Sequence, residues 1–217
     1  MSLEFDVPTL DERLKKPSSL RELAPLRGLV LAGGSSSRMG RDKGSIEYHG
    51  VSQVLWLQRL LSEVCESVYI SINSRQRDMH PYCDLPFFVD QPLVKGPAAG
   101  LLAAWEAFPE SAWLAVAVDL PLINRALLKS LEKKRETSNF ATAYLHDSGV
   151  LEPVCTIYEP CARDMLVKNM RGRNGSLRRV LELGPTTKLP ILKPRVLMSI
   201  NTSAEYEEAY TQLSFDD

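Results

Sequence analysis

Residues 29–50 read LVLAGGSSSRMGRDKGSIEYHG. The stretch begins in an apolar run, Gly28 to Ala32, and the run ends in glycines. A short apolar run bounded this way predicts a buried parallel strand. The polar loop from Gly33 to Lys43 follows. Gly33 and Gly34 allow a ligand to approach the backbone closely, and successive exposed N–H groups in such a loop form a nest for an anion. Arg38 offers a bidentate fork to phosphate oxygens, and Lys43 offers a point charge. In open α/β sheets, ligands bind outside the carboxyl ends of the strands, where this loop sits. Two familiar phosphate motifs are absent: no lysine follows Gly40 directly, as GxxxxGK[ST] requires, and there is no GxGxxG. A plain flexible turn is the alternative, and the combination of Arg38, Gly40, Asp42 and Lys43 weighs against it.

Working outward, a β–loop–α alternation continues. Val54, Leu57, Leu61 and Val64 share one helical face over 54–65. Strands are predicted at Val68–Ile72, Pro86–Val89 and Trp113–Val118, with helices over 98–107 and 124–136. This alternation predicts a mostly parallel sheet covered by helices. In the less regular second half, Phe140–Tyr144, Val154–Tyr158, Lys188–Leu192 and Val196–Ile200 read as strands. Residues 160–170 and 176–183 read as helices, and a last helix starts near Ala204. The domain is expected to run from 27 to 212, after an extension (1–26) that holds Pro8, Pro17 and Pro25 and before an acidic tail (213–217). The last seventeen residues carry five acids and no base, which predicts a solvated tail.

Composition narrows the function. The chain has 217 residues, 44% hydrophobic and 24% charged, ordinary values for a globular domain. A net charge of −1 argues against nucleic acid as the main partner, since phosphate-backbone binding needs excess positive charge. No apolar run approaches the roughly 20 residues of a membrane span, and the first twenty residues lack the apolar core of a signal peptide. A cytoplasmic protein is expected. Cys65, Cys83, Cys155 and Cys161 form no CxxC, and no His is read at a metal-ligand spacing beside them. Free thiols are expected rather than a zinc site.

Several pieces along the chain carry a resemblance. The stretch LAGGSSSRMGRDK (31–43) is followed by Asn73, VDQ (89–91), GPAAG (96–100), VDLP (118–121), EPV (152–154) and Asn201-Thr202. In this order they resemble the MobA-like nucleotidyltransferases, over roughly 27–210. The resemblance implies a single Rossmann-like domain of the nucleotide-diphospho-sugar transferase type, with a mixed central sheet. It implies transfer of GMP from GTP to the phosphate of molybdopterin, with Mg²⁺ as cofactor. LAGG and GPAAG look more like the guanylyl branch than the cytidylyl branch. A sugar-phosphate nucleotidyltransferase, or a nucleotide-binding module without chemistry, is the rival.

On this resemblance, Arg38, Lys43 and Asp119 are the catalytic set. Leu31, Ala32, Gly33, Gly34, Lys43, Asn73, Asp90, Gly100 and Asp119 are expected to hold GTP. Asp119 ends an apolar strand and is expected to bind the metal, a hard cation that takes oxygen ligands; on its own it reads equally well as a helix cap. Asn73 reads as a base or ribose contact or as a turn former. The family often pairs two asparagines before the final threonine, and here Ser199 takes the first place. Residues 162–182 hold six basic side chains against two acidic ones. Arg173 and Arg178 there, with Asn201, are candidates for an anionic acceptor, although a solvated face is the simpler reading of the stretch, since long basic side chains usually point to water. Residues 1–26 are open to a role in contacting a cofactor-delivery protein. His49, His80 and His146 receive no catalytic role.

Overall fold

The computed structural model describes residues 23–34, 42–170 and 175–215. Seven strands form one sheet in the order β3-β2-β1-β4-β6-β5-β7. They are β1 Leu26–Leu31, β2 Val68–Ile72, β3 Phe87–Val89, β4 Ala112–Ala117, β5 Ala141–Leu145, β6 Leu151–Tyr158 and β7 Thr186–Pro190. β1 lies between β2 and β4 and is parallel to both, with Val30 opposite Ile70 on one side and Val116 on the other. β3 extends the parallel half. β6 runs antiparallel to β4 and β5, and β7 runs parallel to β5. The sheet is therefore mixed but mostly parallel, as the sequence predicts.

The central strands are buried on both faces, so they read as continuous apolar runs rather than alternating ones. Helices α1 (Gln53–Leu61) and α3 (Arg125–Lys133) cover one face, where Leu57, Leu61, Leu128 and Leu131 meet Val30, Ile70 and Leu114. Helices α2 (Pro97–Ala107), α4 (Ala162–Met170) and α5 (Leu177–Leu183) cover the other, where Trp105, Leu166 and Leu181 belong to the cluster of Leu29 and Trp113. A third cluster joins Tyr48 and Leu122 to Ala209 of α6 (Ser203–Phe215). No helix among the described residues is long and apolar enough to cross a membrane.

Three expectations change. Val196–Ile200 is not a strand. Pro194 opens a 3-10 turn, Pro194–Leu197, because its fixed φ suits a first helical position. The chain then returns to the sheet, where Ile200 N donates to Asp119 O at 2.9 Å. The closing segment is also no plain solvated tail. α6 runs to Phe215, past the boundary drawn at 212, and its Ala209 is fully buried. At the front, β1 runs Leu26–Leu31 rather than Gly28 to Ala32.

Candidate active site

The strand order reverses between β1 and β4, and the crevice at the carboxyl ends of these two strands is the expected ligand site of an open α/β sheet. Lys43 and Asp119 meet there. Lys43 lies in a 3-10 turn, Lys43–Ser45, just after the glycine loop, and Asp119 lies two residues beyond β4. Lys43 Nζ donates to Asp119 Oδ2 at 3.0 Å and to Asn201 Oδ1 at 2.5 Å. Ser199 Oγ donates to the same Asp119 oxygen at 2.8 Å, and Asn201 Nδ2 donates to Ser199 Oγ at 2.9 Å. The lysine and aspartate side chains are about one-fifth exposed (20% and 22%), so the pair faces the crevice. The helix-cap reading of Asp119 falls, because Asn124 caps α3 by accepting from Leu127 N at 3.0 Å.

Beside this cluster lies a shelf built from β1, β2 and β3. Asp90 follows β3 and accepts a hydrogen bond from Ser71 Oγ. A Cβ on Gly33 would stand 1.8 Å from Asp90 Oδ2, and one on Gly100, in the first turn of α2, 2.0 Å from Ser71 Oγ. Both positions therefore require glycine. Burial pushes the Asp90 carboxyl up from its ordinary value of 3.8, against the lowering effect of the Ser71 bond. Asn73 is committed internally: Nδ2 donates to Gly33 O at 3.2 Å and Oδ1 accepts from Arg75 N at 2.9 Å. It acts here both as the turn former and as a brace for the loop. Leu31 and Ala32 are buried, and Gly34 is exposed at the last described position before the loop.

Arg38 and Arg173 lie outside the described residues. Arg178 is exposed in the first turn of α5, and among the described residues it makes no hydrogen bond to the Lys43 cluster.

Five further residues hold the site together. Asp42 Oδ1 accepts from Gly44 N at 2.9 Å and from the Tyr82 hydroxyl, while Oδ2 accepts from Gln76 Nε2 at 2.7 Å. Gln76 also donates to Ala32 O at 3.1 Å. Lys43 is thus aimed by its neighbour Asp42, which is itself fixed to a second loop. A signal was present: Asn73 and Gln76 form a capping box, a pattern readable as N-x-x-Q. On the other flank, Glu205 Oε2 accepts from Asn201 N at 2.7 Å and Thr202 N at 2.8 Å. The Asn201 amide bond is the main reason its carboxyl lies below the usual range. Tyr48 packs on Tyr206 with ring centroids 5.1 Å apart. Burial, with Tyr206, Asp119 and Glu205 nearby, pushes its hydroxyl up to about 12.

One expectation about cysteines is corrected. All four are free thiols, but His80, Cys83 and Asp84 do bring potential ligand atoms within 4.8 Å of one another on an exposed turn. His80 Nδ1 lies 2.8 Å from Asp84 Oδ2 and 3.4 Å from Cys83 Sγ. The H-x-x-C spacing was there to be read.

Comparison with known proteins agrees with this geometry. The family model of the MobA-like NTP transferase domain matches residues 28–189. The molybdenum cofactor biosynthesis bifunctional protein of Synechocystis sp. is 33% identical over 186 residues, covering 84% of this chain and 53% of that protein. The chain thus spans about half the length of that relative. The molybdenum cofactor guanylyltransferase of Pseudomonas aeruginosa is 32% identical over 161 residues, 73% of this chain and 81% of that protein. Molybdopterin-guanine dinucleotide biosynthesis protein A from Archaeoglobus fulgidus superposes with a TM-score of 0.73 at 22% identity, over 87% of this chain and 99% of that one. A nucleotidyl transferase from Methanothermobacter superposes at 0.71 with 16% identity, over 89% and 99%. With the motifs in order, the fold matched and a lysine–aspartate pair at the strand-order switch, the chain belongs to the MobA-like NTP transferase family.

Proposed function

We propose that the chain transfers GMP from GTP to the phosphate of molybdopterin and releases pyrophosphate. The observation that carries this reading is the cluster of Lys43, Asp119, Ser199 and Asn201 at the strand-order switch. The guanylyl choice and the acceptor rest on the Pseudomonas relatives, whose names specify molybdenum cofactor guanylyltransferase.

The chemistry sets the requirement. An oxygen of the acceptor phosphate attacks the α-phosphorus of GTP, a new P–O bond forms, and the bond to the bridging oxygen of the β-phosphate breaks. An anion attacks an anion, so catalysis is mainly positioning and charge neutralisation. No protein nucleophile is needed. The ammonium of Lys43 faces the crevice and offsets charge on the phosphates. Gly33 and Gly100 let Asp90 and Ser71 close under the shelf, and the nucleoside is held over it at the exposed Gly34, with buried Leu31 and Ala32 supporting the loop. Arg38 supplies a second cation to the triphosphate in this reading.

The donor set suits Mg²⁺, which takes one or two carboxylates together with substrate phosphates and water. Both hydrogen bonds to Asp119 use Oδ2; Oδ1 has no hydrogen bond to a described residue and can serve as a ligand, with Asn201 Oδ1 as a second oxygen nearby. When bound, Mg²⁺ supplies further neutralisation of the phosphate oxygens.

The test is pyrophosphate release with Mg²⁺ from GTP, CTP, ATP and UTP, with and without molybdenum-loaded molybdopterin. Release that requires both GTP and the pterin supports the proposal. Release with CTP reassigns the nucleotide, and release only with a sugar phosphate reassigns the acceptor.

A further inference from the structure

The nucleotide shelf occupies only the β1–β2–β3 half of the carboxyl edge. The other half carries a pair of side chains that the proposed chemistry has not used. His146 follows β5, and Glu152 is the second residue of β6. The two strands form a hairpin closed by His146 N donating to Val150 O at 2.9 Å. Because β6 is antiparallel to β4 and β5, this hairpin turns at the same edge as Asp119. The β4–β6 pairing ends with Val116 opposite Cys155, and from there β4 leads on to Asp119 and β6 back to Glu152 at the same edge. Neighbouring strands lie about 4.8 Å apart. Glu152 is therefore one strand from β4 and His146 two strands, roughly 5 and 10 Å across the sheet.

The pair is oriented. Glu152 Oε1 accepts from its own strand, Val154 N at 3.0 Å, which fixes the carboxylate. Its Oε2 lies 3.1 Å from His146 Nε2. The carboxylate side chain is 12% exposed and the imidazole 29%. A carboxylate behind one ring nitrogen holds the proton there and sets the tautomer. In the neutral ring the other nitrogen, Nδ1, then carries a lone pair, and the ring is the more exposed member of the pair.

We infer that the β5–β6 hairpin is the acceptor subsite and that His146 Nδ1 accepts a hydrogen bond from a ring N–H or amino group of a phosphorylated heterocycle. The inference rests on the proposed transfer to such an acceptor. The phosphate of that compound lies at Lys43 and Asp119, and its ring system reaches across β6 towards His146. Glu152 is a positioning residue that acts through the imidazole.

Steady-state kinetics with GTP and molybdenum-loaded molybdopterin varied separately test this on the full chain. His146→Phe keeps a flat ring and removes the acceptor nitrogen. Loss of one such hydrogen bond raises the KM for the pterin about tenfold. The KM for GTP stays within about twofold, since no nucleotide contact is touched. His146→Gln restores an acceptor and recovers part of the loss. Glu152→Gln raises the pterin KM with little change in that for GTP. An unchanged pterin KM in His146→Phe, or a GTP KM that rises in step with it, overturns the inference. If the unsubstituted protein releases no pyrophosphate with the pterin, the proposed function falls and takes the subsite with it. Turnover by the unsubstituted protein with unaltered kinetics in His146→Phe brings down the subsite alone.

Discussion

Lys43 Nζ and Asp119 Oδ2 stand 3.0 Å apart across 76 residues of chain. The contact joins the loop after β1 to the end of β4. Two ions held at the mouth of a crevice, each about one-fifth exposed, lose hydration that their mutual attraction largely offsets, so the pair adds little net stability. Their arrangement serves a ligand better than it serves the fold. Lys43→Met is therefore expected to lower Tm only slightly while cutting turnover about 10²–10³-fold, the usual cost of losing one electrostatic stabiliser. Asp119→Asn should keep the fold and lose the Mg²⁺ dependence of pyrophosphate release. A Lys43→Met protein with near-normal kcat would remove the pair from the mechanism.

Gly33 offers a sharper test. A Cβ there meets Asp90 Oδ2 at 1.8 Å, and neither group can move freely, because Asp90 is tied to Ser71 and the Gly33 carbonyl to Asn73. Gly33→Ala should destabilise the domain by about 1–3 kcal/mol, the range for overpacking, and weaken GTP binding. Shortening the opposing side chain relieves the clash. The double variant Gly33→Ala/Asp90→Ala should be more stable than the sum of the single effects allows. A calorimetric double-mutant cycle measures that coupling, and simple additivity would show that the two residues do not meet.

How legible this site was in the sequence varies residue by residue. Asn73, Asp90 and Asp119 each follow an apolar strand, and a strand end at the carboxyl edge is where an α/β sheet presents side chains; Lys43 stands out as a cation closing the glycine–serine loop. Position marks them as candidates, and the resemblance to the MobA-like family is what attaches roles to them. Asp42 stands out in the loop without a role attached to it, and Gln76 and Tyr82 do not stand out at all. Tyr82 is fully buried and reads as core, since the sequence gives no sign that its hydroxyl reaches across 40 residues to Asp42. Val196–Ile200 has the composition of a strand, but strand pairing is a non-local property and Pro194 turns the chain first. Glu152 is noted only as part of EPV and His146 receives no role, for a related reason. The antiparallel reversal of β6 brings them to the active edge, and strand direction is not written in a local pattern.

Asp90 gives a pH dependence with a definite sign. Its carboxyl is raised above 3.8, chiefly by burial, so the folded state binds its proton more tightly than the unfolded chain does. Stability then falls as pH rises from 3.8 to the folded value, and the deficit persists at neutral pH. Asp90→Asn removes the charge and keeps the shape. Its Tm should equal or exceed that of the unsubstituted protein at pH 7, with the difference vanishing below 3.8. Thermal melts across this range check it, and a lower Tm for Asp90→Asn at pH 7 would falsify the burial argument.

A buried ion pair governs stability elsewhere. Arg135 Nε and Nη2 donate to Glu159 Oε1 and Oε2 at 2.6 and 2.9 Å, and Nη2 also donates to Ala24 O at 2.8 Å. The Glu159 side chain is 1% exposed. Removing one partner leaves an uncompensated buried charge, which costs about 3–5 kcal/mol. Arg135→Ala should thus lower Tm by on the order of 10 °C for a domain of this size. The paired replacement Arg135→Met/Glu159→Leu should lose far less, because it leaves no orphan charge. GTP binding by whatever fraction remains folded should be unchanged, since the pair lies outside the site.

Tyr82 separates support of the site from participation in it. Its hydroxyl donates to Asp42 Oδ1, which also accepts from Gly44 N and Ser45 N and so shapes the turn that carries Lys43. Burial and the Asp42 carboxylate both push the hydroxyl well above its ordinary value, so it is a proton donor throughout the accessible pH range. Tyr82→Phe deletes one hydrogen bond to a charged group, which costs about 1.5–3 kcal/mol. Asp42 keeps its remaining donors, so the turn loosens without collapsing. The expected result is a several-fold fall in kcat at nearly constant KM for GTP, because a misplaced Lys43 stabilises the transition state less than the bound substrate. Lys43→Met should mask this effect: in the double variant, Tyr82→Phe should lower kcat no further. A further drop in that background would mean that Tyr82 acts on the reaction by some route other than Lys43.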